Sequence, residues 1–253
     1  MMDEILNLDF TQHFTVYENE IYRIVEVQHF IATRKLVDSD DEQAILENII
    51  ERSKPPAKTH NSNGQLHYLL YTPFRYPPLK SGGRFHKRFE QSIFYGAEDL
   101  KTAMAEIAYG RFAFMQHSEA VFKSMHVAHT HFTVLVKSAK AVLLTKTPFN
   151  ACRTQISHPA SYSASQALGT AMRASGADMF NFYSARQKNG INIGLFSNEA
   201  FYKNKPLTQM HWSVFIDAQT VEFKRVSFGF EHRETYVFDV QSFCIEGKFQ
   251  LIQ

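Results

Sequence analysis

The stretch IFYGAEDLKTAMAEIAYGRFAF, residues 93–114, combines a short apolar strand with a helix that follows it directly. Residues 93–95 predict the strand, and apolar side chains keep helical spacing from Glu98 to about Phe114. On a helical wheel, Glu106 lies roughly 100° from the centre of the apolar stripe. The pattern therefore predicts a carboxylate at the edge of the buried face, where its side chain can point into a cleft.

Two segments before this unit have recognisable boundaries. Residues up to about Glu20 predict an N-terminal arm. Ser39 and Glu42 form a capping-box pattern, which predicts the start of a helix. Pro55-Pro56 is expected to end that helix, because proline cannot continue one.

Strands predominate in the rest of the chain. They are predicted at 21–27, 67–71, 132–136, 141–144, 179–183, 191–196, 212–216, 221–226 and 236–240. A helix is predicted from Ser161 or Ser163 to about Ala174, ended by Gly176, and residues 73–83 predict a series of Pro/Gly-rich turns. Since strands and helices do not alternate strictly, we predict an α+β fold with a mixed or antiparallel sheet and not a doubly wound one.

Length and composition bound the class of protein. The 253 residues suffice for one large domain or two small ones, and we predict one domain at 21–253 with a helical insertion at about 38–64. A net charge of +2 argues against a dedicated nucleic-acid or membrane-surface protein. No stretch approaches the roughly 18–20 apolar residues of a membrane span, and the N-terminus shows no secretory pattern. Cys152 and Cys244 are too few for a disulfide framework, so we expect a cytoplasmic protein.

Three polar residues stand at equal spacing around the opening strand and helix. Arg84 follows Gly82-Gly83, Tyr95 ends the strand and Glu106 lies on the helix, with gaps of 95 − 84 = 11 and 106 − 95 = 11. A guanidinium fork matches pyrophosphate oxygens, a phenol ring can stack on a flat base, and a carboxylate can stabilise a nearby positive charge. Taken singly, each also fits a structural role as a turn arginine, a strand tyrosine or a solvated helix carboxylate.

Two further sets of side chains carry potential chemistry. Ser184 follows the strand at 179–183, where its hydroxyl can orient a ribose or an amide, or simply end the strand; no Gly-x-Ser-x-Gly elbow surrounds it. The three histidines His126, His129 and His131 lie close together, but no carboxylate or thiolate stands at ligand spacing, so we expect no metal. Neither a Gly-x-x-x-x-Gly-Lys loop nor a Rossmann Gly-x-Gly-x-x-Gly pattern occurs.

Taken together, these motifs resemble those of the RES-domain family, the toxin components of bacterial RES–Xre toxin–antitoxin pairs. The matching segments are Tyr22-Arg23, Gly82-Gly83-Arg84, Phe94-Tyr95, Ala103-Met104-Ala105-Glu106, Tyr183-Ser184-Ala185-Arg186 and Ile191-Asn192-Ile193-Gly194-Leu195-Phe196. The resemblance spans roughly residues 22–201. It departs from the family pattern in the long segment between the two arginines and at His86, where many relatives have Asn.

The resemblance implies an ADP-ribosyltransferase-like fold and an enzyme that degrades NAD by breaking the nicotinamide–ribose bond. It implies that Arg23 and Arg84 contact the dinucleotide, that Tyr95 lines the nicotinamide side, that Glu106 is the catalytic carboxylate and that Ser184 completes the pocket. It also implies a cognate, Xre-like antitoxin as protein partner. Phosphate is a co-substrate if the bond is cleaved by phosphorolysis.

Three functions stay open at this level. The first is NAD cleavage by hydrolysis or phosphorolysis. The second is an ADP-ribosyltransferase that moves the same fragment onto a protein. The third is a catalytically silent binding module, against which the complete Arg, Tyr, Glu and Ser set argues.

Overall fold

The computed structural model of the chain describes residues 2–27, 36–76, 80–118, 123–226 and 234–252. The α-helices in these ranges are α1 (Met2–Leu6), α2 (Asp40–Ser53), α3 (Tyr68–Arg75), α4 (Leu100–His117), α5 (Arg153–Ile156) and α6 (Ser163–Ala174). The strands are β1 (Phe14–Glu26), β2 (His60–Asn61), β3 (Gly64–Gln65), β4 (Phe94–Ala97), β5 (Ser124–Leu143), β6 (Met179–Tyr183), β7 (Ile191–Leu195), β8 (Thr208–Asp217), β9 (Thr220–Arg225), β10 (Thr235–Asp239), β11 (Cys244–Ile245) and β12 (Lys248–Phe249). The fold is α+β, as the sequence predicts.

Eight strands form one mixed sheet in the order β1-β4-β7-β6-β5-β8-β9-β10. The pairing of β5 with β6 is parallel, and the other pairings in this sheet are antiparallel. Strand β1 also pairs with β5 over most of its length, which closes β1, β4, β7, β6 and β5 into a ring. The ring gives its strands an inner and an outer face.

Apolar side chains fill the ring and cover it from outside. All five ring strands contribute to the inner cluster, through Ile21, Phe94, Phe132, Val134, Met179, Ile193 and Leu195 among others. Outside, α4 packs with β8 and β9 in one cluster, and α6 packs with Phe180 and Phe182 in another. Because neighbouring strand residues point to opposite faces, Phe94 points inward while Tyr95 joins an outer cluster. None of the helices in the described ranges combines the length and hydropathy needed to cross a bilayer.

Several boundaries predicted from local patterns are confirmed. Helix α2 begins directly after Ser39, whose Oγ accepts the main-chain N–H of Glu42 at 3.2 Å. Strand β6 has the predicted bounds. Helix α6 ends at Ala174, and Gly176 follows it in the left-handed region with φ +79°, a conformation that costs glycine little.

Other predictions were wrong where distant pairing decides the structure. Strand β1 begins at Phe14, so the predicted arm boundary at Glu20 falls inside a strand that β5 pairs with. The strands predicted at 132–136 and 141–144 are one continuous strand, since β1 pairs across the polar residues between them.

Two local assignments were also wrong. Residues 68–71 form the start of α3 and not a strand, because His67 caps the helix and both Leu69 and Leu70 pack from it into the inner cluster. Helix α6 follows Tyr162 without a side-chain cap bond, so neither serine caps it. Pro77 and Pro78 of the predicted turns lie outside the described residues.

Candidate active site

Glu106 lies half-buried on α4, beside the outer face of the ring. Its Oε1 accepts two hydrogen bonds, one from Ser184 Oγ at 2.7 Å and one from Asn192 Nδ2 at 2.6 Å. These donors come from the end of β6 and from β7, which are paired neighbours in the sheet. Two adjacent strands thus fix the position of one helix carboxylate.

A tight turn holds Arg84 on the outer side of the strand ring. Gly82 adopts φ +74°, and a Cβ there would lie 2.3 Å from the main-chain oxygen of His86, so only glycine fits without displacement. The Arg84 side chain is 92% buried, since its relative exposure is 8%. Its Nη1 donates to the main-chain oxygen of His158 at 2.8 Å, and its guanidinium carbon lies 4.4 Å from the centre of the Tyr162 ring.

A second buried arginine reaches the same loop. Arg186 has a relative exposure of 9%, and its Nη2 donates to the main-chain oxygen of Pro159 at 2.6 Å. Its guanidinium carbon lies 3.3 Å from the centre of the Tyr109 ring, close enough for a strong cation–π contact. Its Nε is buried without a hydrogen-bond partner in the described part of the chain. Burial lowers the pKa of Arg186.

Electrostatic coupling shows that these side chains share one neighbourhood. Burial raises the pKa of Tyr109, and the charges of Arg84 and Glu106 also act on this phenol, the arginine lowering its pKa and the carboxylate raising it. The charge of Glu106 likewise opposes the lowering of the Arg186 pKa by burial. We call the set Arg84, Glu106, Tyr109, Tyr162, Ser184, Arg186 and Asn192 the Glu106 cluster.

Tyr95 borders the Glu106 cluster and uses its hydroxyl in the fold. Its Oη accepts the main-chain N–H of Phe85 at 3.2 Å, next to Arg84 in sequence. Burial raises the pKa of Tyr95, and the charge of Arg84 acts in the opposite direction. The structure therefore brings Tyr95, Arg84, Ser184 and Glu106 to one side of the ring.

Arg23 is not brought to that side. It lies opposite Phe132 in the pairing of β1 with β5, and opposed residues share a face. Its guanidinium carbon lies 4.6 Å from the centre of the inward-pointing Phe94 ring, and it donates to the main-chain oxygen of Tyr95. Burial lowers the pKa of Arg23 to about 10. Its contact with a dinucleotide stays a prediction, because strand alternation points it to the inner face, away from Glu106.

The histidines on β5 have partners within the fold. His131 Nδ1 accepts the indole N–H of Trp212 at 2.7 Å, and His129 Nε2 lies 3.0 Å from Arg111 Nη2. His126 packs beside Phe215. Among the described residues, no cluster of three or more His, Cys, Asp or Glu side chains has an arrangement that can hold a metal.

The sequence motifs contained members of the cluster to which no role was assigned. Asn192 and Arg186 both stand within matching segments, and Tyr109 lies three positions beyond Glu106, on the same face of α4. Tyr162 and His158 lie in a loop without a recognisable motif. Helical spacing was therefore a usable signal for Tyr109, whereas only coordinates bring the loop to Arg84.

The fold and the cluster define an α+β protein in which a half-buried carboxylate shares one site with two buried arginines. The model of the RES domain matches residues 58–217, so the chain belongs to the RES domain family. Arg84, Tyr95, Glu106 and Ser184 lie inside the matched range, and Arg23 lies before it.

Among solved structures, the chain resembles one from the crystal structure of the M. tuberculosis MbcT–MbcA toxin–antitoxin complex. The likeness covers 83% of this chain and 92% of that one, with 12% identity and a TM-score of 0.50. At this identity, the comparison shows a shared fold. No curated protein matches the sequence.

Proposed function

We propose that this chain is a toxin-type enzyme that cleaves the nicotinamide–ribose bond of NAD and is restrained by a cognate antitoxin. The observation that carries the proposal is the Glu106 carboxylate, fixed by Ser184 and Asn192 beside two buried arginines. Family membership supports an enzyme of the RES type.

The proposed chemistry needs a fixed negative charge near the ribose. Nicotinamide is already cationic in NAD and departs as a neutral molecule, so the leaving group needs little acid assistance. Positive charge develops on the ribose, as in glycoside hydrolysis. A preorganised carboxylate stabilises that charge without reorganising during the reaction. In the proposed reaction Glu106 supplies this negative charge. Its carboxylate can also accept a hydrogen bond from a ribose hydroxyl.

Arg84 and Arg186 suit the pyrophosphate. Guanidinium groups bind phosphate oxygens with paired, charge-assisted hydrogen bonds. Each arginine donates to a neutral main-chain oxygen of the 158–159 segment, and a phosphate oxygen is a stronger acceptor than a carbonyl. Tyr95 offers an aromatic ring on the same side, against which nicotinamide can pack.

The family and the fold support an antitoxin partner. The solved chain that this one resembles comes from a toxin–antitoxin complex. Unrestrained degradation of NAD would deplete the cell of this cofactor, so the proposed activity calls for an inhibitor. We therefore propose a protein antitoxin that blocks the Glu106 cluster; an Xre-type partner is the specific form that the sequence resemblance implies.

Nicotinamide release from NAD by the purified protein tests the function. Glu106→Gln keeps the size of the side chain but removes its charge, and we expect a rate loss of about 10²–10³-fold. Glu20→Gln is the matched control, because Glu20 is an exposed carboxylate on β1 outside the cluster. A Glu106→Gln protein that releases nicotinamide at the parental rate contradicts the assignment.

The fate of the ADP-ribose group separates the related reactions. Labelled NAD, incubated with and without phosphate, gives free ADP-ribose by hydrolysis or a phosphate ester by phosphorolysis. Label retained on protein identifies ADP-ribosyl transfer instead.

A further inference from the structure

The hydrogen bonds around Glu106 are distributed unequally between its two carboxylate oxygens. Oε1 accepts from Ser184 Oγ at 2.7 Å and from Asn192 Nδ2 at 2.6 Å. Oε2 accepts no hydrogen bond from any of the described residues. Since both donors bind the same oxygen, they fix the carboxylate plane and leave the other oxygen available.

Ser184 has no hydrogen-bonding capacity left for a substrate. A serine hydroxyl has one proton to donate and two lone pairs to accept with. Ser184 Oγ accepts the main-chain N–H groups of Arg186 and Gln187, both at 3.0 Å. Its single proton is therefore directed at Glu106. This differs from the sequence-based expectation that the hydroxyl orients a ribose or an amide.

Asn192 directs one of its amide N–H groups at the carboxylate. Its relative exposure is 4%, and it lies in the middle of the sheet, opposite Ala97 of β4 and Phe182 of β6. A carboxylate only accepts hydrogen bonds, so the amide must turn its NH₂ group toward Glu106. A side chain held in a central strand is a rigid support for a catalytic group.

We propose that Ser184 and Asn192 are positioning residues that hold Oε1 of Glu106 and present Oε2 to the ribose of the substrate. This inference rests on the proposed NAD cleavage. In this proposal neither Ser184 nor Asn192 contacts NAD, and both act through Glu106. Misplacing a reacting group by about 1 Å can cost about 10²-fold in rate, so the loss of either donor affects turnover and not substrate affinity.

The first test separates turnover from binding. We expect Ser184→Ala and Asn192→Ala each to lower kcat about 10- to 100-fold, while calorimetry of NAD binding gives a Kd within about twofold of the parent. Ser184→Thr keeps the hydroxyl and is expected to restore most of kcat. Ser138→Ala is the matched control, because Ser138 Oγ likewise donates to a carboxylate, Asp178 Oδ2, and accepts a main-chain N–H, that of Lys140, outside the cluster. A Kd that rises as much as kcat falls overturns the proposal, since it shows direct substrate contact.

A double-mutant cycle on unfolding provides a readout that does not depend on NAD. Contacting residues give non-additive changes in the free energy of unfolding, and distant residues add. We expect coupling between Glu106→Gln and Ser184→Ala, and none between Glu106→Gln and Ser138→Ala.

The two readouts distinguish failure of the positioning role from failure of the function. If Glu106→Gln abolishes nicotinamide release while Ser184→Ala and Asn192→Ala keep the parental kcat, the positioning role is wrong and NAD cleavage stands. If the coupling is present but the parent protein releases no nicotinamide, the contact is real, and both the proposed function and the positioning role in it are wrong.

Discussion

Helix α4 carries two polar networks, one around Glu106 and one around Arg111, and they differ in how many of their polar atoms have hydrogen-bond partners within the fold. Arg111 Nη2 donates to Glu26 Oε2 at 2.6 Å and to His129 Nε2 at 3.0 Å. The other ring nitrogen of His129 donates to the main-chain oxygen of Val127 at 3.2 Å. Every nitrogen of the histidine ring thus has a partner within the fold.

The Glu106 cluster is incomplete by comparison. In the described ranges, Oε2 of Glu106 and the buried Nε of Arg186 have no hydrogen-bond partner. Of these two atoms only the Arg186 Nε is buried, and a buried donor without a partner is an exception among native proteins. The His129 ring is thus fully paired within the fold, whereas the Glu106 cluster keeps polar atoms without a partner among the described residues, which supports our proposal that it binds a ligand.

The largest effect is expected from acid at the Arg111 network. Burial, aided by the charge of Arg111, lowers the pKa of His129 from 6.5 to about 4. The unfolded chain then binds a proton more readily than the folded one, so the stabilisation is present above pH 6.5 and is lost as the pH falls to about 4. This pKa difference corresponds to about 3 kcal/mol.

Urea unfolding of His129→Gln and of the parent between pH 7 and pH 4 measures this effect. We expect the parent to be the more stable at pH 7 and its advantage to shrink toward pH 4. His60→Gln is the control at an exposed histidine. A difference between parent and His129→Gln that stays constant over this range would show that His129 is not held neutral by the fold.

A smaller effect is expected on ligand affinity at the Glu106 cluster. Arg84→Lys keeps the positive charge but replaces a planar fork with a point charge. We expect NAD binding to weaken about tenfold, which is about 1.4 kcal/mol, as measured by calorimetry. Arg88→Lys, the same change at an exposed arginine of the same loop, should leave the affinity unchanged. If the Arg84→Lys protein and the parent bind NAD with equal affinity, Arg84 does not bind the pyrophosphate.

Local patterns in the sequence sufficed for elements whose ends are set by neighbouring residues. The Ser39 cap and the prolines after α2 act within one turn of the helix, and Gly176 acts at the end of α6. The order of Arg84, Tyr95 and Glu106 was also informative, because α4 follows β4 closely and Tyr95 of β4 accepts the N–H of Phe85, next to Arg84.

Pairing between distant residues could not be predicted in the same way. Asn192 reaches Glu106 across 86 positions of the chain, and no periodicity links the two. The inward direction of Arg23 depends on its register with Phe132 in β5, and a shift of one residue would reverse it. The strand pairing that closes the ring therefore determines which motif residues come together.

The smallest effect tests whether Tyr95 belongs to the structural or to the ligand-binding side of the comparison. Its hydroxyl already accepts the N–H of Phe85, so Tyr95→Phe removes a bond of the fold but keeps the ring that we propose for nicotinamide. We expect a loss of about 1 kcal/mol in the free energy of unfolding, with kcat for NAD cleavage largely retained. Tyr71→Phe is the control at a partly buried tyrosine outside the cluster. A fall in kcat comparable to that of Glu106→Gln, without loss of stability, would instead mean that the hydroxyl leaves Phe85 to contact the substrate.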